Sequence, residues 1–409
     1  MTEQHGLAKR KLPMLEMVFI MLFSVYYLLP SVNSGIVHFS VPLILGLLYT
    51  IYVLFMDKKT GTKFILYIGV ISILSLAYLS FTDASALANI SEPVALKRFA
   101  SKFYQYFCMY LPLLFFSRIM SRASRYQKKW FLLCFAVLFV YVVIQTLQLL
   151  AVEPDAIRKW EQFDELAEDN IGSYYFVYSV PVVIVILAIC LPKLNKFFKI
   201  VDIAAIVFLF YFIIKSQYTL ALLISGAGLL LRLFLSIKQT FLKMIFIIIA
   251  FFAMFFVPDM LLFVAIHVES VQMATRLLEI YEFLTSGSLS GYNLSGRITL
   301  YGKSIVAFLK SPIWGNRKLE FDGHATCFTV LADTGIIGGI PFYYLLTSVN
   351  NQIKERLGEN RKEYFTIFFC MLLMGFTNPI HSSLPLALTT WFIAPLAIEV
   401  VYKKEKNKY

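Results

Sequence analysis

Stretches of about 20 mainly apolar residues, the length a helix needs to cross a bilayer, recur along almost the whole of this chain. Twelve can be read, at 14–30, 36–56, 64–81, 103–120, 131–150, 174–192, 199–214, 218–236, 243–262, 326–347, 364–380 and 384–402. Only 15% of residues are charged and 59% are hydrophobic, whereas a soluble globular chain carries about a quarter charged residues. The reading is an all-α polytopic integral membrane protein of about 12 transmembrane helices. Aromatics are 16% of the chain, which suits lipid-facing helices and interfacial belts.

The net charge of +12 is read as loop charge under the positive-inside rule, and nucleic acid is not an expected partner. With both termini on the cytoplasmic side, every inner segment is basic. The sets are Lys9–Lys11, Lys58 with Lys59 and Lys63, Arg118 through Lys129, Lys193 through Lys199, Arg232 through Lys243, Lys354 through Lys362, and the tail. The outer segments collect most of the acids, Glu153 through Asp169 among them. A basic flank leads into the apolar run at Met14 with no A-x-A-like site after it, so the first run reads as an anchor. The five cysteines all sit in apolar runs, none in a CxxC spacing, and read as buried small hydrophobes.

One connection stands apart: about 65 residues on the outer side between the ninth and tenth spans, far beyond ordinary loop length. Apolar residues at Val271, Ala274, Leu278 and Tyr281, and again at Ile298, Tyr301, Ile305 and Phe308, have helical spacing. A Gly/Ser-rich break at 286–295 divides them and Pro312 ends the second. The expected organisation is therefore spans one to nine in 1–257, an outer loop in 258–325, and the last three spans with a cytoplasmic tail in 326–409.

Outer cations are the unusual ones in such a protein. Lys97, Arg98 and Lys102 form one group, Lys215 stands alone, and the long loop holds Arg276, Arg297, Lys303, Lys310, Arg317 and Lys318. Arg297 is expected in the first turn of its helix, where the macrodipole disfavours a cation, and an anionic ligand would explain it. A guanidinium suits phosphate oxygens bidentately. The bland alternative for these cations is contact with lipid headgroups or pairing with Glu279, Glu282, Glu320 and Asp322. Lys215 either snorkels or meets an anion in an outer cavity.

Of five histidines, His5 and His38 look incidental, His267 precedes the amphipathic stretch, and His381 sits in the NPIHSSLP turn. His324 follows Asp-Gly at the start of the tenth span, where an imidazole could take a proton from a sugar hydroxyl. Asp333 is an acid well inside that span, functional by default, although the following GIIGG also suits close helix packing. No motif supports metal, nucleotide or serine-hydrolase chemistry.

The combination SGR, SPIWGN and GHATCFTVLADTGIIGGIPF resembles the O-antigen polymerase and ligase family of bacterial surface-polysaccharide assembly. The resemblance rests on Arg297, the turn Ser311 to Gly315, His324 and the run Gly335 to Gly339, and covers about 50 residues of motif. It implies a metal-independent glycosyltransferase, with no cofactor, on the outer face of the inner membrane. The substrate would be an undecaprenyl-diphosphate-linked oligosaccharide. The growing chain would pass from its lipid carrier to the terminal sugar of a lipid-linked repeat unit. Arg297 and His324 would be the catalytic pair, with Lys215, Arg98, Arg276 and Arg317 as further diphosphate contacts and Asp333 and His381 in support. Relatives often carry an Arg where this chain has Gln217. The implied partners are membrane lipids and a chain-length regulator and flippase of the same pathway. The alternatives are the ligase of the same family, a lipid-linked oligosaccharide flippase, and a sensory or scaffolding protein.

Overall fold

The structure, a computed structural model, describes residues 11–36, 39–79, 92–158, 168–268, 271–287, 292–316 and 325–402. Among them there is no strand. The helices are α1 (Met14–Leu28), α2 (Ser40–Met56), α3 (Lys58–Ala77), α4 (Glu92–Arg122), α5 (Arg125–Val152), α6 (Tyr174–Lys193) and α7 (Lys196–Lys215). They continue as α8 (Thr219–Ser236), α9 (Thr240–His267), α10 (Val271–Ser286), α11 (Tyr292–Lys310), α12 (Thr326–Leu357), α13 (Arg361–Thr377) and α14 (Leu384–Tyr402). Each of the twelve apolar runs falls on a helix. Eight described helical stretches are long and apolar enough to cross a membrane; one of them joins α12 and α13, and α1 and α2 are shorter apolar helices. The protein is thus an α-helical membrane protein, its backbone polar groups satisfied within each helix as hydrocarbon demands.

The centre of the bundle is α4, α6 and α14. From Tyr106 to Phe116 the side chains of α4 are almost all inaccessible, and Trp391 of α14 is fully buried. At the other extreme, no residue in the most apolar stretch of α9 is buried. A helix apolar on every side and unburied by protein is one that meets hydrocarbon.

Several cations counted as loop charge lie inside instead. Arg118 donates from Nε and Nη2 to the two carboxylate oxygens of Glu16, at 2.8 and 2.9 Å, and Tyr49 donates to the same carboxylate at 2.8 Å. Lys128 pairs with Glu399 at 3.5 Å. Arg118 and Lys128 are therefore interior ion-pair members and not solvated loop residues. Their position one turn inside a helix end lets them reach an acid on a neighbour. The following connection is closed locally by a capping box, Ser124 with Gln127.

The long connection between the ninth and tenth apolar runs forms two helices, α10 and α11, as its apolar spacing predicts. After α11 the turn Ser311–Gly315 docks on α12 where that helix breaks. Gly335 has φ +58, and the amides this frees are taken up by the turn: Ile336 N–H donates to Pro312 O (2.8 Å) and Ile337 N–H to Ile313 O (3.3 Å). A Cβ on Gly335 would meet Ile313 O at 2.4 Å, and one on Gly315, with φ +72, would meet the Asp333 carbonyl carbon at 2.4 Å. Both glycines are thus required twice over, by φ and by contact. Gly338 and Gly339 sit against Thr334 and Leu331 of their own helix. The small-residue run thus lets α12 bend and accept the turn.

Candidate functional site

α10 is held by Met273 and Leu277, which pack with Ala265 of α9 and Leu222 of α8. This i, i+4 anchor fixes the helix and carries Arg276, between the two anchors in sequence. Arg276 is half-buried, and Glu279 one turn on is buried. α11 brings Arg297 to the same place. Burial pushes the Arg276 guanidinium below its ordinary pKa, and the nearby positive charge of Arg297 pushes it further, opposed by Tyr178, Tyr218 and Glu279. Two guanidiniums and one buried carboxylate, Glu279, thus share a partly dehydrated region whose net charge is positive, which favours an anion nearby.

The placement of Arg297 differs from expectation. α11 begins at Tyr292, so Arg297 lies beyond the first turn and the N-terminal dipole argument does not apply. Its Nη1 approaches Thr377 O, at 3.5 Å, the last residue of α13. Carbonyls at a helix C-terminus have no intrahelical donor and carry partial negative charge, so a cation is favoured there.

That contact joins Arg297 to the turn 377–383, which gathers several elements. Asn378 O accepts from Thr326 N–H (3.2 Å) and the Thr326 hydroxyl (3.1 Å) at the opening of α12. Asn378 Oδ1 accepts from the Tyr174 hydroxyl at 2.7 Å, at the opening of α6. Tyr174 also packs edge-on against Tyr178, with centroids 4.9 Å apart, and both rings touch Tyr218. His381 places Nδ1 3.1 Å from the Thr326 hydroxyl and stacks on Tyr106 at 5.5 Å. Burial, and then the charge of Lys102, drives its pKa down from 6.5 to about 3. His381 is a neutral positioning group beside Thr326. The hydroxyl of Thr326, which also accepts from Ile380 N–H at 2.8 Å, fixes the chain two residues after His324.

The remaining candidates divide. Lys215 ends α7, exposed, with Nζ 5.9 Å from the Tyr211 ring centroid, the position of a snorkelling side chain. Gln217 is buried in a left-handed conformation (φ +59) and donates to Pro154 O at 3.2 Å; it closes the α7–α8 turn. Asp333 lies two residues before the Gly335 break, close enough to Tyr78 and Tyr106 for its charge to act on both. Arg98 lies in α4, its side chain outside the described residues, as are His324 and Arg317 entirely.

The structure thus brings together Arg276 and Arg297, and separately His381 and Asp333, around Tyr106 and the 377–383 turn. Sequence reasoning missed Tyr174, Thr326 and Asn378. The available signal was Asn-Pro followed by His between two apolar runs, polar atoms that a membrane interior tolerates only when they are paired. No protein-family model matches this chain, and no curated protein matches it.

Proposed function

We propose that the protein is a polymerase of bacterial surface polysaccharide, moving a growing glycan from undecaprenyl diphosphate to the terminal sugar of a lipid-linked repeat unit. The observation that carries this reading is the Arg276–Arg297 pair, two half-buried guanidiniums within electrostatic range of each other beside the hydroxyl-bearing Tyr174. A diphosphate is the chemistry that such a pair accommodates. In the reaction the acceptor hydroxyl oxygen attacks the anomeric carbon of the donor sugar, and the bond from that carbon to the diphosphate oxygen breaks. The electron pair leaves with the diphosphate, whose charge the two arginines stabilise. The proton of the attacking hydroxyl passes to a base, for which His324 is our assignment. The protein crosses the inner membrane twelve times, with both termini cytoplasmic and this site on the outer face.

A flippase is the competing class, and the break in α12 is the observation in its favour, because transporters bind substrates at discontinuous helices. Here the amides freed at Gly335 are taken by Pro312 and Ile313 carbonyls, so the break does not supply an open anion site.

The deciding experiment is a gel ladder of surface glycan from a deletion strain complemented with this chain. Restored multi-repeat bands in place of a single repeat support the polymerase. Long chains that stay on the lipid carrier until complementation mean the ligase, and no glycan on the outer face without the protein means the flippase. Arg276→Ala, Arg297→Ala and His324→Ala should each remove the ladder at unchanged protein abundance, with a loss of about 100-fold or more.

A further inference from the structure

Three adjoining cavities follow α12, the first two between it and α3 and the third on the face of α12 alone, with the first at the end of the bundle opposite Arg276 and Arg297. The first, about 370 Å³, is lined by Lys59, Lys63 and Arg356 together with Asp57, Thr60 and Glu355. The second, about 410 Å³, shares Lys63 and Glu355 with it and continues over Tyr67, Tyr344, Thr347 and Ser348. The third, about 400 Å³, shares Tyr344 and Thr347 and is apolar, formed by Leu331, Ile336, Gly339 and Ile340. The groove therefore changes from cationic to hydroxyl-lined to apolar along one path.

The polarity order matches a phospholipid. Lys59, Lys63 and Arg356 are exposed and make no ion pair or hydrogen bond among the described residues. Of the two acids there, Asp57 is engaged by the Thr60 amide and hydroxyl and lies 3.8 Å from Arg118. Three cations thus face one unengaged carboxylate, Glu355. The neck is built: the Tyr67 hydroxyl meets Ser348 Oγ at 2.9 Å and Gln352 Oε1 at 3.0 Å, and Gln352 donates to Ser117 at 3.0 Å. From Ile340 to Gln352 the helix advances about 18 Å, close to the roughly 15 Å of hydrocarbon in one leaflet.

We infer that this groove binds an anionic glycerophospholipid, its phosphate among Lys59, Lys63 and Arg356, its glycerol backbone at Tyr67 and Ser348, and an acyl chain along Ile340 and Ile336. The site is separate from the arginine pair and independent of the activity proposed for it.

Purified, delipidated full-length protein titrated with phosphatidylglycerol or phosphatidylcholine of equal chain length, and read by native mass spectrometry, tests this. Phosphatidylglycerol is expected to be retained about fivefold better, the factor that roughly one cation near an anionic headgroup confers. The triple variant K59Q/K63Q/R356Q should lose that preference. Thr347→Trp, at an exposed position in the neck, should weaken phosphatidylglycerol binding with all three cations intact. Equal retention of the two lipids overturns the proposal. So does a triple variant that keeps the preference, or a Thr347→Trp variant that binds as wild type.

Discussion

At the scale of single residues, the electrostatics of half-buried His381 and buried Glu16 lead to measurable expectations. The pKa of His381 is about 3 in the folded protein against 6.5 as a free side chain. Between these values the unfolded chain binds the extra proton, so stability rises with pH across that window and falls on acidification below about 6.5. Thermal midpoints in detergent should therefore drop between pH 7 and pH 4.5. The loss is on the order of 1–3 kcal/mol, and His381→Gln should flatten the slope. A slope unchanged in the variant would remove His381 from the account. Glu16 gives the second case. Its loss leaves Arg118, only 2% exposed, without its bidentate acceptor. Glu16→Ala should cost about 3–5 kcal/mol, measured as a lower thermal midpoint or lower accumulation in membranes. Replacing both partners by apolar residues, Glu16→Leu with Arg118→Met, should recover much of it. Neither partner was legible as half of a pair. One carboxylate inside α1 and one cation near the end of α4 lie 102 positions apart, and nothing local in sequence couples them.

At the scale of elements, the Ser311–Gly315 turn and the break in α12 form one unit, each supplying what the other lacks. Gly315→Ala and Gly335→Ala should each destabilise strongly, because left-handed backbone and direct backbone contact act together. Asn, which tolerates positive φ, should not rescue either site, since its Cβ meets the same atoms. Gly287, also at positive φ (+68) but with nothing within 4 Å, is the control: Gly287→Asn should cost well under 1 kcal/mol. If Asn rescued Gly335, backbone angle alone would explain that glycine. The helices α10 and α11 were readable from apolar spacing, but their buried face was not: Val271, Leu278 and Ile305 of the expected faces are exposed, and α10 is anchored by Met273 and Leu277. Nor was the start of α11. Its first residues, Tyr-Asn-Leu-Ser, carry no capping signal strong enough to mark position 292, and that shift of register changed the explanation of Arg297.

At the scale of the whole molecule, the arrangement of termini and the outer placement of α10 and α11 belong to the proposed reading. In a Cys-free background, a cysteine at Ser311 should react with a membrane-impermeant maleimide in spheroplasts, and one at Lys238 only after lysis. The reverse pattern would invert the molecule and put the arginine pair on the cytoplasmic side, where the carrier-linked glycan of the proposed reaction would not meet it. Apolar runs of the right length, and the choice of helix for them, were determined by the sequence alone, because hydrocarbon permits no unpaired backbone and leaves a chain this apolar few other states. The sequence also marked Arg276 and Arg297 as unusual, because cations are scarce on that side. Only the tertiary structure decided that those two come within electrostatic range, that Asn378 joins three helix ends, and that Arg118 and Lys128 turn inward. Such contacts join residues tens to hundreds of positions apart, and their energy depends on how helices of similar apolarity choose their neighbours, a choice that composition and periodicity leave open.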